Sequence, residues 1–130
     1  MMKVDVWFSV FVFFNVGLLT LLALNVSRVR IREHQAHGDG GKAHLSRAIR
    51  AHGNGVEHAI PFALILLALE SCPAPTISLM TLSIGFSIAR VMHATAMLGS
   101  FFQLRRIAAL LTYLFEALGV IAIPVYSHWF

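Results

Sequence analysis

VWFSVFVFFNVGLLTLLALNVS, residues 6–27, is an uncharged stretch of 22 residues between Asp5 and Arg28. A helix needs about 20 apolar residues to cross a hydrocarbon core of about 30 Å. The β-branched and aromatic residues of the stretch suit a strand, but its length and continuous apolarity favour a transmembrane helix. A cleaved secretory signal is the competing interpretation; the long run followed by Arg30 and Arg32 favours a helix that is retained.

The composition of the whole chain agrees with a membrane protein. Hydrophobic residues make up 58% of the 130 positions and charged residues 12%, whereas soluble domains have about 25% charged residues. A soluble domain of this size has too little interior for so much apolar material, and disordered chains are polar and rich in charge. The single cysteine excludes an internal disulfide, and the seven histidines show no recognised metal-ligand spacing. We predict one domain, residues 1–130, without a metal site.

Three further apolar segments predict that the chain crosses the membrane four times. These spans lie at residues 47–70, 76–98 and 105–126. A glycine-rich polar loop, residues 34–46, follows the first span, and Pro73 and Pro75 end the second. Residues 99–104 form a short third connection. The predicted fold class is all-α, an integral membrane four-helix bundle.

The positions of the basic residues predict the orientation of the spans in the membrane. The first loop and its flanks contain Arg28, Arg30, Arg32, Lys42 and Arg47. The third connection, on the same side of the membrane, is followed by two more arginines, whereas the second loop has no Lys or Arg. By the positive-inside rule, loops one and three face the cytoplasm and both termini face away from it. The net charge of +4 then reflects topology, and no nucleic-acid partner is predicted.

Four residues of the second span are not explained by topology. They are Arg50, Asn54, Glu57 and Pro61. Successive members of this set are four, three and four residues apart. With 3.6 residues per turn, all four share one stripe of a helix. Pro61 has no N–H, so the carbonyl of Glu57 loses its helical partner. The stripe therefore offers a cation, an amide, a carboxylate and a free backbone acceptor.

The third span carries Arg90 and His93, one helical turn apart. If the second and third spans pack together, Arg90 is the natural counter-charge for Glu57. A buried ion pair of this kind can serve only to fix helix register. Four arginines reach the same membrane level: Arg28, Arg50, Arg105 and Arg106. Their number favours a site for a small polyanionic molecule that also carries an amino group.

The most specific pattern in the chain is RAHGNGVEHAIPF, residues 50–62. A second block begins with ARVMH, residues 89–93, and continues to Arg106. In these blocks, in length and in number of spans, the chain resembles the MAPEG family, the membrane-associated proteins in eicosanoid and glutathione metabolism. The first block matches the family pattern Arg-Ala-x-x-Asn-x-x-Glu followed by proline. It is closest to the branch of microsomal glutathione transferases and prostaglandin E synthases.

The resemblance implies a homotrimer of four-helix subunits, with glutathione bound between adjacent subunits near the cytoplasmic side. The positions that match the family's glutathione site are Arg28, Arg50, Asn54, Glu57, Arg90 and His93. Arg106, or its neighbour Arg105, matches the arginine near the thiol, where a cation favours the nucleophilic thiolate. The implied function is a membrane-bound glutathione transferase or glutathione-dependent peroxidase. Glutathione would be the co-substrate, and a lipophilic electrophile or lipid peroxide the second substrate.

One departure from the family keeps other interpretations open. Met97 stands where several enzymes of the family have a tyrosine, and methionine cannot donate a hydrogen bond. The chain could therefore be a non-catalytic member that binds lipid or another ligand, or it could use a thiol related to glutathione. A small proton-coupled drug exporter is a further alternative, but Arg50 and Asn54 beside Glu57 suit an anionic ligand better than a cationic drug. The short chain is similar to bacterial members, which implies a location in the inner membrane.

Overall fold

The computed structural model describes residues 5–127, which form four α-helices and, within that range, no β-strand. The helices are α1 (Val6–Glu33), α2 (Ala43–Glu70), α3 (Thr76–Gly99) and α4 (Phe102–Tyr126). By length and apolarity, α1, α3 and α4 can each cross a membrane. α2 is as long as α1, but the part of it that contains Arg47, Arg50 and Glu57 is more polar. The predicted all-α four-helix architecture is confirmed.

The helices are longer than the predicted spans. α1 ends at residue 33 instead of 27, α2 begins at 43 instead of 47, and α4 begins at 102 instead of 105. The predicted connection 99–104 is wrong, because only Ser100 and Phe101 separate α3 from α4. The ends of the predicted spans were placed where the apolar residues stop. A helix, however, continues through polar residues until the backbone conformation changes. α1 and α3 end where His34 (φ 52°) and Ser100 (φ 62°) adopt the left-handed conformation.

The first loop, residues 34–42, is tied to the ends of both flanking helices. The carboxylate of Glu33 lies 3.2 Å from Lys42 Nζ and 2.7 Å from His44 Nε2. Within the loop, the backbone N–H of Gly41 donates to Asp39 Oδ1 at 3.0 Å. This hydrogen bond lowers the pKa of the Asp39 carboxyl below its ordinary value. These contacts hold the end of α1 beside the start of α2.

α2 and α3 lie at the centre of the bundle. Each contacts the other and both outer helices, whereas α1 and α4 do not touch in the described part of the chain. The rings of Phe62 and Phe86 stack at 3.8 Å between centroids, and Phe11 lies 5.5 Å and 5.7 Å from them. Tight packing of this kind holds membrane helices together. It also sets the rotation of α2 against α3, and so decides which polar residues face each other one or two turns away.

Candidate functional site

A buried guanidinium joins three of the helices. Arg90 on α3 is only 2% exposed. Its Nη2 donates to Asn54 Oδ1 on α2 at 2.8 Å, and its Nη1 donates to Thr112 Oγ1 on α4 at 3.3 Å. The Thr112 hydroxyl in turn donates to the carbonyl of Ala108 at 2.9 Å, so its oxygen can still accept from Arg90. Arg90 therefore links α2, α3 and α4 at this level.

The predicted pairing of Arg90 with Glu57 is wrong. Glu57 is exposed on α2 and accepts no hydrogen bond from residues within 5–127. At about 100° per residue, Glu57 lies about 120° around the helix from the buried Ala51, whereas Asn54 lies only about 60° away. The amide therefore faces α3 and the carboxylate faces outward.

A pocket of about 310 Å³ opens between α2, α3 and α4 beside Arg90. It brings together six of the eight residues predicted for the site: Arg50, Asn54, Arg90, His93, Arg105 and Arg106. The other two, Arg28 and Glu57, do not line the pocket and are exposed on the surface of the chain. A single chain therefore assembles most of the predicted site, but leaves two of its charged groups outside.

Two polar residues of the pocket, His58 and Tyr113, are not among the predicted site residues. Their rings meet edge to face at 5.4 Å between centroids, and His58 Nδ1 lies 2.7 Å from Glu116 Oε1. The sequence does not reveal this cluster, because its members come from two helices. One signal was present: Ala109, Tyr113 and Glu116 follow Arg106 at helical spacing and share one face of α4.

The lining of the pocket is strongly cationic. It contains Arg50, Arg90, Arg105 and Arg106, and no carboxylate among the residues that the structure describes. Arg90 Nε and His93 Nδ1 are buried and have no hydrogen-bond partner within the same range. A buried cation with no carboxylate in contact with it is costly. The arrangement suits a ligand that brings its own negative charges.

The MAPEG family model matches residues 8–123. The chain belongs to the MAPEG family. It is also 35% identical over 113 residues to the inner membrane protein YecN of Escherichia coli K12, a match that covers 86% of each chain. YecN of Escherichia coli O6:H1, strain CFT073, matches to the same extent. The predicted family and the membrane four-helix fold are confirmed, while the names of the relatives state a membrane location and no reaction.

In this MAPEG chain, Arg105 and Arg106 both line the pocket but differ in their surroundings. Arg105 is partly buried and donates to Met97 Sδ at 3.7 Å, whereas Arg106 is exposed. Both guanidiniums lie near the ring of Phe102, at 5.3 Å and 5.7 Å from its centroid, which is within the range of cation–π attraction. Met97 thus holds Arg105 toward the interior, and Arg106 is the more accessible of the two.

Tyr113 brings a hydroxyl to the pocket of this MAPEG chain. Met97 cannot donate a hydrogen bond, but the phenol of Tyr113 lines the same pocket from α4 and is 58% exposed. A phenol can donate to a carboxylate or a thiolate. Chemically, the pocket can therefore bind carboxylates through its arginines and stabilise a further anionic atom near α4.

Proposed function

We propose that the protein is a membrane-bound glutathione transferase or glutathione-dependent peroxidase that acts on lipophilic electrophiles. The observation that carries this proposal is the pocket between α2, α3 and α4, which has four arginines and, within the described residues, no carboxylate in its lining. A cavity with this charge suits an anionic ligand, and glutathione carries two carboxylates, an ammonium group and a thiol. The proposed location is the inner membrane, as the names of the relatives in Escherichia coli suggest.

The two carboxylates of glutathione match the arginines of the pocket. A guanidinium can bind a carboxylate through two parallel hydrogen bonds. Each terminal nitrogen of Arg90 donates one N–H, to Asn54 or to Thr112, and has a second N–H left for a ligand. Arg50 is exposed, so all the N–H groups of its guanidinium are available to a ligand. We assign these two arginines to the carboxylates.

A homotrimer would complete the site. Arg28, Arg50 and Glu57 are exposed on α1 and α2, although charged groups that face lipid are costly. Packing against a second copy would shelter these side chains. It would also place Glu57 where its carboxylate can accept hydrogen bonds from the ammonium group of the ligand. The proposed assembly therefore has one glutathione at each of three interfaces.

The thiol of glutathione is the reactive group, so the protein need not supply a nucleophile. Arg105 or Arg106 favours the thiolate electrostatically, and Tyr113 can donate a hydrogen bond to it. In the transferase reaction, the thiolate sulfur bonds to an electrophilic carbon, the leaving group departs with the bonding electrons, and the thiol proton passes to water. In the peroxidase reaction, two glutathione molecules are oxidised to their disulfide while a hydroperoxide is reduced to an alcohol and water.

We propose that loops one and three face the cytoplasm, because basic residues concentrate there. Arg105 and Arg106 lie near the start of α4, so the pocket lies in the half of the bundle that these loops close. A water-soluble thiol would enter from the cytoplasm. A lipophilic electrophile would enter from the bilayer along the exposed apolar residues of α4, which include Ile107, Leu110 and Leu114.

Calorimetry with glutathione and the detergent-purified protein tests the binding site. We expect Arg50→Ala and Glu57→Gln each to weaken binding by about tenfold or more, since each removes a hydrogen bond between charged groups. Arg32→Ala is the matched control, because Arg32 is exposed and lies outside the pocket. Absence of binding to a folded wild-type oligomer would contradict glutathione as the ligand and favour a related thiol or a lipid-binding role.

Turnover measurements separate an enzyme from a protein that only binds ligand. With glutathione and either chlorodinitrobenzene or cumene hydroperoxide, we expect the Arg105→Ala/Arg106→Ala double variant to lose at least about tenfold in kcat, because the thiolate loses its stabilising cations. Gln103→Ala, on the same helix but outside the pocket, should keep the wild-type rate. Full thiol-dependent turnover in the double variant would contradict the catalytic assignment of Arg105 and Arg106. Proton-driven efflux that requires Glu57 would instead favour the exporter.

A further inference from the structure

A second basic pocket, of about 220 Å³, lies at the end of the bundle where α3 connects to α4. Its polar lining consists of Arg47 from α2, Ser100 from the connection and Arg105 from α4. Phe101 and Phe102 form part of its wall. It shares Arg105 and Met97 with the pocket described above, whereas Arg47, Ser100 and both phenylalanines do not line that first pocket.

Arg47 has a charge that nothing in the described chain neutralises. Its Nε is buried and lacks a hydrogen-bond partner, and the side chain makes no ion pair within residues 5–127. No carboxylate of that range lines the pocket either. Because an unpaired buried donor on a cation is costly, the two guanidiniums and the hydroxyl of Ser100 are arranged for an anion.

The start of α4 adds to this preference for an anion. No side chain caps the helix, and its first turn contains no acidic residue. Within α4, the first backbone N–H with a partner is that of Arg105, which donates to the carbonyl of Phe101 at 3.0 Å. The preceding N–H groups of the first turn have no intrahelical acceptor. They and the helix dipole favour negative charge at this end of α4.

The surroundings of the pocket indicate that the anion is carried by a lipid. Phe101 and Phe102 are 62% and 57% exposed, and Leu98 and Ile107 beside them are also exposed. Apolar side chains at the rim of a basic pocket suit a molecule with a charged head and hydrocarbon tails. A free phosphate ion would leave these side chains unused.

We propose that this pocket binds the phosphate group of an anionic phospholipid. Arg47, Arg105 and Ser100 hold the phosphate together with the first turn of α4, and the acyl chains lie along the exposed residues of α3 and α4. Two cations without a lining carboxylate prefer a lipid with net negative charge to a zwitterionic one. Basic pockets between membrane helices on the cytoplasmic side commonly recognise such headgroups.

Native mass spectrometry of the detergent-purified protein tests the proposal, with dioleoyl phosphatidylglycerol as the probe. The wild type should retain this lipid in preference to dioleoyl phosphatidylethanolamine, and Arg47→Gln should weaken retention by about tenfold or more, because a charge-assisted hydrogen bond is lost. Arg32→Gln is the matched control. It removes the same charge from an exposed position at the same end of the bundle, and it should change binding by less than about twofold.

Ser100→Gly supplies a second variant that does not threaten the fold. Ser100 has a φ of 62°, which glycine adopts without strain, so the substitution removes the hydroxyl and relaxes the backbone. We expect lipid affinity to fall by about threefold. Equal retention in the wild type and in folded Arg47→Gln, or an equal loss in Arg32→Gln, would overturn the site. If Arg47→Gln does not fold, wild-type affinity in Ser100→Gly would overturn it. Displacement of the lipid by millimolar inorganic phosphate would overturn its assignment to a lipid.

Discussion

Arg90→Met is expected to weaken glutathione binding by about a hundredfold without lowering the thermal stability of the ligand-free protein. Removing one partner of a buried, hydrogen-bonded pair of charges costs about 2–5 kcal/mol of binding free energy, and each 1.4 kcal/mol is about tenfold in affinity. Arg90 is 2% exposed and donates to Asn54 and Thr112, but no carboxylate of the described chain bonds to it. In the proposed complex, the carboxylate that completes the pair comes from glutathione.

The stability of Arg90→Met follows from the same geometry. A ligand-free chain keeps a desolvated guanidinium with no carboxylate bonded to it, and replacing a buried charge by an apolar side chain of similar length is often neutral or stabilising. Asn54 is only partly buried and can turn to water. The Thr112 hydroxyl keeps its hydrogen bond to the carbonyl of Ala108. Neither former partner is left as an unsatisfied buried group.

Two controls separate a ligand-binding Arg90 from a residue that only fixes helix register. Arg90→Lys keeps the charge and should recover part of the lost affinity, whereas a purely structural role would not depend on charge. Thr112→Val removes only one acceptor and should change binding by a few fold at most. Calorimetry and thermal unfolding in detergent provide the two measurements. A large fall in the melting temperature of Arg90→Met, with binding lost in proportion to unfolding, would support the register role instead.

Gly85→Val is expected to destabilise the fold by about 1–3 kcal/mol, the usual cost of overpacking. Even a Cβ at Gly85 would overlap the ring of Phe115 on α4, with Cζ and Cε1 the closest atoms. α3 and α4 would have to separate, or the whole ring would have to move. Gly85 is five residues from Arg90 on α3, so the separation would also strain the hydrogen bond between Arg90 and Thr112.

The cause of this destabilisation can be isolated with two further variants. Gly17→Val makes the same change in α1 at a position with no atom within 4 Å of the new Cβ, and it should leave the melting temperature nearly unchanged. Phe115→Ala removes the obstructing ring, so the Gly85→Val/Phe115→Ala double variant should be more stable than the sum of the single effects predicts. Strictly additive effects in this cycle would show that the two side chains do not meet.

The candidate site shows which of its features can be predicted from the sequence. Asn54 and Arg90 were identified separately, each from a polar position inside a span, and the structure joins them by a hydrogen bond of 2.8 Å. Glu57, chosen on the same grounds as Asn54, faces outward. The contact between His58 and Glu116 was not predicted, because 58 residues of chain separate the two positions. Periodicity identifies the residues that share one face of a helix, but not the helix that this face meets.

By itself, the sequence determined the fold class and the family, and it singled out six of the residues that line the candidate pocket. These follow from the length of apolar stretches, from charge placement and from spacing within one helix, which are local properties. The tertiary structure alone decided that Arg90 pairs with Asn54 rather than Glu57, and that Tyr113 joins the pocket. Such pairings depend on the rotation of one helix against another. Here that rotation is set by packing at Phe62 and Phe86, which the pattern of a single helix does not specify.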